Sequence, residues 1–386
     1  MATLEEHARG GLKAIEEKRW DDAIEHFRTA VQLGPDRPDI RHALGTAHLH
    51  RGDTGNAVEP LEAAVQLSEP FTAPEHQAMR REFHLTLATV YQLLDRVGAA
   101  RAALQEIIRR WPEEVEPYLQ LGQLLLSSCH PEEGCRIYAD AADLLDREQR
   151  QSADALVGSV KAFLESDHDP LAFLEAHGDS YRSYFDEIAR AQLEQGWYAE
   201  AARMTRRDDG EVVPLLPEGS RPYALERVDL VNPADGSVST VYSEREPMIV
   251  AVEGLEALSQ VPVTLLSKGH PFQVWVSTRA PWHWLSVVVQ FREPGAAQEL
   301  IDRVEPTLGS WYLAGFNGEF GDKDTGRFHY VTDPDTLGTR GVTWVVDLGR
   351  AKWDAIPDLL RKLGVLHERH PIQRVLFGEG RVPEDE

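Results

Sequence analysis

A period of 34 residues runs through the first 148 positions of the chain, which restricts it to folds that stack one small unit on the next. Gly11, Ala23, Phe27 and Ala30 are followed 34 residues later by Gly45, Ala57, Leu61 and Ala64. Pro35 has its counterpart at the Glu69-Pro70 step. The third copy carries Ala88, Tyr91, Ala100, Leu104, Ile107 and Pro112, and it arrives nine residues late. That delay predicts an inserted loop near residues 72–80. Leu121, Gly122, Gly134, Tyr138 and Ala141 return to the spacing of 34.

These positions have the chemistry of helix hairpins. Gly11, Gly45, Ala88 and Gly122 are small enough for one helix to approach its mate, and Ala23, Ala57, Ala100 and Gly134 do the same from the second helix. Phe27, Leu61, Leu104 and Tyr138 fill the space beside them. Pro35, Pro70 and Pro112 stop the second helix, because proline cannot supply the helical N–H. The pattern resembles the tetratricopeptide repeat family over roughly residues 4–148. It departs from the consensus where His7, Arg41, His84 and Tyr118 replace a first-helix Trp, and the fourth copy lacks the Pro. Phe185, Ile188, Ala189, Gly196 and Ala201 suggest a degenerate copy, so the helical domain is expected to span residues 1–209, its atypical end capping the stack.

The resemblance implies a concave groove, lined by each first helix, that takes a protein or peptide. The lining positions are Ala8, Leu12 and Ile15; His42, Thr46, Leu49 and His50; Leu85, Thr89 and Gln92; and Leu119, Gln123 and Leu126. Ala8 and Leu12 stand where one subgroup of the family carries Lys and Asn to clamp a C-terminal carboxylate, so that mode is not expected. The rim holds Glu5, Asp39, Glu82 and Glu116. An amphipathic partner with basic flanks is its complement. Two other readings stay open: some of these leucines pack between neighbouring repeats, or the chain's own tail fills the groove.

Near Asp208-Asp209-Gly210 the pattern changes, and Pro214, Pro217 and Pro222 mark a linker. Alternation of period two follows. Residues 225–231 and 238–242 flank a hairpin signal, NPADGS. Residues 273–278 and 284–291 read as strands joined by a short turn, 294–308 as a helix, 311–317 and 327–331 as a hairpin around GDKDTG, 342–348 as a strand, 353–366 as a helix and 372–377 as a closing strand. The order from 284 onward resembles a ferredoxin-like, split βαβ sandwich with one extra strand. The expected fold is therefore multidomain, an all-α repeat superhelix over residues 1–209 and an α+β sandwich over 210–386. A sandwich of this kind serves many functions and licenses no activity.

Charge narrows the partners. The net charge is −24, with 38 acidic and 23 basic residues in 1–209 and 26 against 17 in 210–386. Neither half offers the positive surface that a nucleic-acid backbone or an anionic membrane needs. No apolar run approaches the ~18 residues of a membrane span. The start, MATLEEHARG, lacks the apolar core of a signal peptide, and two cysteines are too few for a disulfide scaffold. A cytoplasmic setting is expected.

No glycine-rich phosphate loop, GxSxG elbow, HExxH or CxxC pair is present, so no catalytic residue, cofactor or metal is expected. Cys129, His130 and Cys135 do not match a zinc spacing. His367 and His370 suit a helix C-terminus. Asn317, Glu319, Asp322 and Asp324 read as a turn, because the closing Glu of a calcium loop is missing. Asp347 and His329 could act as acid and base, but nothing local brings them together. Six of the nine tryptophans lie beyond residue 209, and strand parity puts Trp275, Trp282 and Trp284 on one sheet face as a docking patch for the repeats, a second copy or another protein. The reading that follows is a non-catalytic adaptor; the alternative is an enzyme or small-molecule sensor whose site lies in the second half.

Overall fold

The computed structural model describes residues 3–34, 36–193, 198–199, 204–206, 212–214, 225–231, 238–244, 258, 261–321 and 328–378, with side chains described through 183 and from 258 onward. Pro35, the 208–210 and NPADGS segments, Pro217, Pro222, Gly196, Ala201, Asp322 and Asp324 lie outside the described residues, as do the side chains of Phe185, Ile188 and Ala189. The chain divides into two compact units, one ending at Asp154 and the other running from Ala155 to Gly380.

The first unit is a series of antiparallel helix pairs: α1 (Leu4–Glu16) with α2 (Trp20–Leu33), α3 (Pro38–His50) with α4 (Thr54–Ser68), α5 (Gln77–Leu93) with α6 (Val97–Arg110), and α7 (Val115–Ser127) with α8 (Pro131–Asp140). The small residues act as the period implies. A Cβ on Gly11 would lie 2.7 Å from the Phe27 ring, one on Gly45 2.5 Å from Leu61, and one on Gly122 2.7 Å from Tyr138. Ala23, Ala57, Ala88 and Ala100 are fully buried at the same crossings. The nine extra residues are only partly loop: after a 3-10 turn at Pro74–His76, α5 starts eleven residues before Ala88, whereas α1, α3 and α7 start seven residues before Gly11, Gly45 and Gly122. The insertion thus adds a helical turn. A long helix α9 (Arg147–Glu165) follows, then α10 (Leu171–Leu193).

In the second unit Leu171, Leu174 and Tyr181 of α10 belong to the core of the α/β region. This is why the division falls near Asp154 and not at residues 209/210: the helix expected to be a degenerate repeat buries its apolar side in the sheet's core. Short strands β1 (Tyr198–Ala199), β2 (Met204–Arg206) and β3 (Val212–Pro214) precede the hairpin of β4 (Leu225–Val231) and β5 (Val238–Glu244), with Val231 opposite Val238. Next come β6 (Thr264–Ser267), β7 (Gln273–Ser277), β8 (Leu285–Phe291), α11 (Ala297–Phe316), β9 (Tyr330–Val331), β10 (Asp335–Leu337), β11 (Gly341–Asp347), α12 (Ala355–His367) and β12 (Ile372–Phe377).

The main sheet runs β10-β11-β8-β12-β7-β6, with β9 beside the end of β11. β12 lies between β7 and β8, parallel to the first and antiparallel to the second. The strands at 273–278 and 284–291 are thus not neighbours. The expected strand at 311–317 is the C-terminal part of α11. Its aromatic composition favours a strand, but Leu300, Val304, Leu308, Trp311 and Gly315 recur at helical spacing, and all are buried. Val274, Val276, Val287, Val289, Trp344, Val375 and Phe377 line the sheet face that packs with buried residues of α11 and α12.

Candidate functional site

The first helices stand side by side, and the bonds between them show it. Arg37, at the start of α3, donates to Glu5 of α1 at 2.7 Å. His42 of α3 stacks on Phe83 of α5 with ring centroids 4.5 Å apart, and its Nε2 lies 3.0 Å from the Thr86 hydroxyl. Gln92 of α5 donates to Gln120 of α7 at 3.1 Å.

The nine lining residues expected to meet a partner sort by their degree of cover. His42 is wedged between α3 and α5, and burial pushes its pKa down against the pull of Glu82. It therefore holds neighbouring repeats together, a packing duty not apparent in the sequence. Leu49 and Leu85 are half-buried against the cores below them. Thr89 returns its hydroxyl proton to the Leu85 carbonyl at 3.0 Å. Leu119 and Gln123 are half-buried. Thr46 has a buried hydroxyl with no hydrogen-bond partner among the described residues. His50 is exposed and stacks on Trp20 at 4.8 Å. Of the wider lining, Leu126 is fully buried under Gly134 and Ala8 is nearly so, so both are core. Leu12 is 54% exposed. Leu93, one residue beyond Gln92 and equivalent in register to His50, is 58% exposed and adds to the expected set; a leucine at a repeated lining position is its signal in the sequence. On the rim, Glu5 and Asp39 share Arg37, which bonds Asp39 at 2.5 Å.

The three tryptophans expected to share a sheet face, Trp275, Trp282 and Trp284, do not form one patch. Trp282 is 1% exposed in the core, where its Nε1 donates to the Gly349 carbonyl at 3.0 Å and a Cβ on Gly178 of α10 would touch its ring at 2.8 Å. Trp284 is 42% exposed and stacks on Tyr330. Trp275 is half-buried, in a cross-strand row with Leu376 and Val288. Parity fails because residues 278–284 form turns: the alternation begins at Leu285 and cannot be carried back to Trp282.

Asp347 and His329, remote in sequence, are joined by sheet pairing. His329 Nδ1 lies 3.5 Å from Asp347 Oδ2; the histidine is buried and the aspartate partly so. The other Asp347 oxygen accepts the Gly349 N–H at 2.9 Å, so the carboxylate caps the turn after β11. His367 accepts the Ile372 N–H at 3.0 Å and braces the turn from α12 into β12. Cys129 and Cys135 are buried and are not joined in a disulfide. Among the described residues no three His, Cys, Asp or Glu side chains gather as a metal would require.

A sequence model described as tetratricopeptide repeat matches residues 11–70. No curated protein matches the chain in sequence. Solved structures similar to it include YrrB, titled a TPR protein with an unusual peptide-binding site, at 16% identity and a TM-score of 0.33, over 39% of this chain and 74% of that one. MamA is similar at 19% identity and a TM-score of 0.36, over 41% and 82%. The pilF protein of Pseudomonas aeruginosa is similar at 16% identity and a TM-score of 0.33, over 42% and 69%. None of the helices among the described residues is long and apolar enough to cross a membrane. The tetratricopeptide repeat match covers residues 11–70, and the helix pairs α5–α6 and α7–α8 follow it along the chain.

Proposed function

We propose that the chain is a non-catalytic cytoplasmic adaptor that holds a protein or peptide on the face formed by α1, α3, α5 and α7. The observation that carries this is the pair Leu12 and Leu93, both more than half exposed at lining positions of the repeat. Their burial by a partner would each contribute on the order of 1.5–3 kcal/mol. Thr46, Leu49, His50, Leu85, Thr89, Gln92, Leu119 and Gln123 form the surrounding surface, with His42 as its brace. Glu82 and Glu116 are exposed at its edge, which supports an amphipathic partner with basic flanks. The second unit is read as a ferredoxin-like sandwich, supported by the strand order β10-β11-β8-β12 with the connections β8-α11-β10 and β11-α12-β12. Trp284 and Trp275 remain candidate docking residues there.

The test is selection of a random peptide library on the full chain and on a Leu12→Glu, Leu93→Glu variant. The expected result is enrichment of amphipathic peptides with basic flanks by the native chain, at least tenfold weaker on the variant, with melting temperatures nearly equal. Equal enrichment on both proteins would move the binding face elsewhere.

A further inference from the structure

Between the first turns of α10 and the outer side of α12, a cleft of about 530 Å³ opens within the second unit. This is within the usual size of small-molecule sites. Leu171, Pro271, Trp353 and Leu360 supply apolar walls, and Asp169, Glu175, His270 and Arg361 the polar ones. The arginine is already engaged, since Arg361 bonds Asp358 at 2.5 Å and Lys362 lies 3.9 Å from the same carboxylate. His270 is tied to the Ser267 hydroxyl at 3.1 Å. Asp169 spends one oxygen on the Leu171 N–H at 3.0 Å. Among the described residues Glu175 makes no hydrogen bond or ion pair. The uncompensated charge in the cleft is therefore negative, and Trp353 lines the same cleft.

A second observation is independent of charge. Gly364 borders the cleft from the interior of α12, where glycine costs about 1 kcal/mol relative to alanine. Among the described residues nothing lies within 4 Å of the Cβ that Gly364 lacks, so their packing does not require it. Gly158 and Gly309 are equally open in their helices, so openness alone marks nothing. What distinguishes Gly364 is the cleft that a side chain there would fill.

We propose that this cleft binds an organic cation, an ammonium or guanidinium group carried on an apolar body. Glu175 and Asp169 receive the charge, Trp353 gives a cation–π face, and the body lies over Gly364 against Leu360 and Leu171. The proposal is independent of what the helix pairs hold.

The test uses the full chain labelled with 5-fluorotryptophan, with the ¹⁹F signal of Trp353 assigned from Trp353→Phe. Phenethylammonium is the probe, and 3-phenylpropionate is the anion on a similar body. The expected result is a saturable shift of the Trp353 signal with the cation and none with the anion, about tenfold weaker affinity in Glu175→Gln, and no binding in Gly364→Leu. Gly364→Ala should raise the melting temperature. No saturable shift, equal response to both probes, or an unchanged Glu175→Gln variant would each overturn the proposal. Glu175 is exposed, so that variant decides the matter even if Gly364→Leu fails to fold.

Discussion

At Gly11, Gly45 and Gly122 the absence of a single methyl group lets a first helix lie against Phe27, Leu61 or Tyr138. Gly122→Ala is expected to cost roughly 1–3 kcal/mol, because the Tyr138 ring must move and the gain in helix propensity of about 1 kcal/mol offsets only part. A lowered midpoint in urea checks this. The turns inside the pairs repeat too. Lys18 (φ 56°), Gly52 (φ 85°), Asp95 (φ 53°) and Cys129 (φ 67°) all adopt the left-handed conformation at the corresponding place in each copy. Only Gly52 has the residue type that adopts it freely. Lys18→Gly removes a left-handed cost of roughly 1–2 kcal/mol and adds about 0.4–1 kcal/mol of unfolded-state entropy, so a rise in melting temperature is expected. A fall would mean that the Lys18 side chain contributes something its exposed position does not suggest.

The added turn of α5 is the irregular element of the first unit, and a charged network holds it. Glu69, just after α4, accepts from Arg80 at 3.1 Å and from Arg110 at 2.9 Å. His84 lies beside them, edge-on to Trp111, and burial lowers its pKa to about 4, with Arg110 reinforcing and Glu69 opposing. An unfolded histidine titrates near ~6.5. Between those values the unfolded chain takes up a proton that the fold refuses, so this contribution is full above about pH 6.5 and falls as the pH drops toward 4. The melting temperature should decline through that window, and His84→Phe should flatten the decline there. A slope unchanged by His84→Phe would assign it to other groups. Below that window the loss should continue, because hydrogen bonds from Arg109 and then Arg110 hold Glu106 at about 2, and protonating it costs stability as the pH falls from about 4.5 to 2.

On the scale of the whole molecule, the boundary between the units is a matter of burial. Leu171, Leu174 and Tyr181 join the core that holds Trp282 and Phe272. Each buried side chain of this kind contributes on the order of 1.5–3 kcal/mol. A fragment 155–386 is therefore expected to give a cooperative thermal transition and a strong near-ultraviolet circular dichroism signal. A fragment 210–386 should lose both and bind a hydrophobic dye. If the shorter fragment melts as sharply as the longer, α10 is dispensable to the sheet.

The repeats are legible in the sequence because each pair is a local object. Gly11 meets Phe27 only 16 positions away, and the same contact recurs at a fixed period, so the pattern of small and large residues is written along the chain. Most of the longer strands of the second unit are legible for the same reason, since alternation is local; β6 and β10 are too short to show it, and the aromatic run at 311–317 is helical. Which strand neighbours which is not, because β12 enters between β7 and β8 from about 80 residues downstream through contacts that leave no mark on either strand. The joining of Asp347 to His329, the burial of Trp282 and the wedging of His42 against Phe83 depend in the same way on surfaces that meet only after folding. Lining positions can be read from the repeat, but their exposure, which separates Leu12 and Leu93 from Leu126, is decided by how closely neighbouring helices pack.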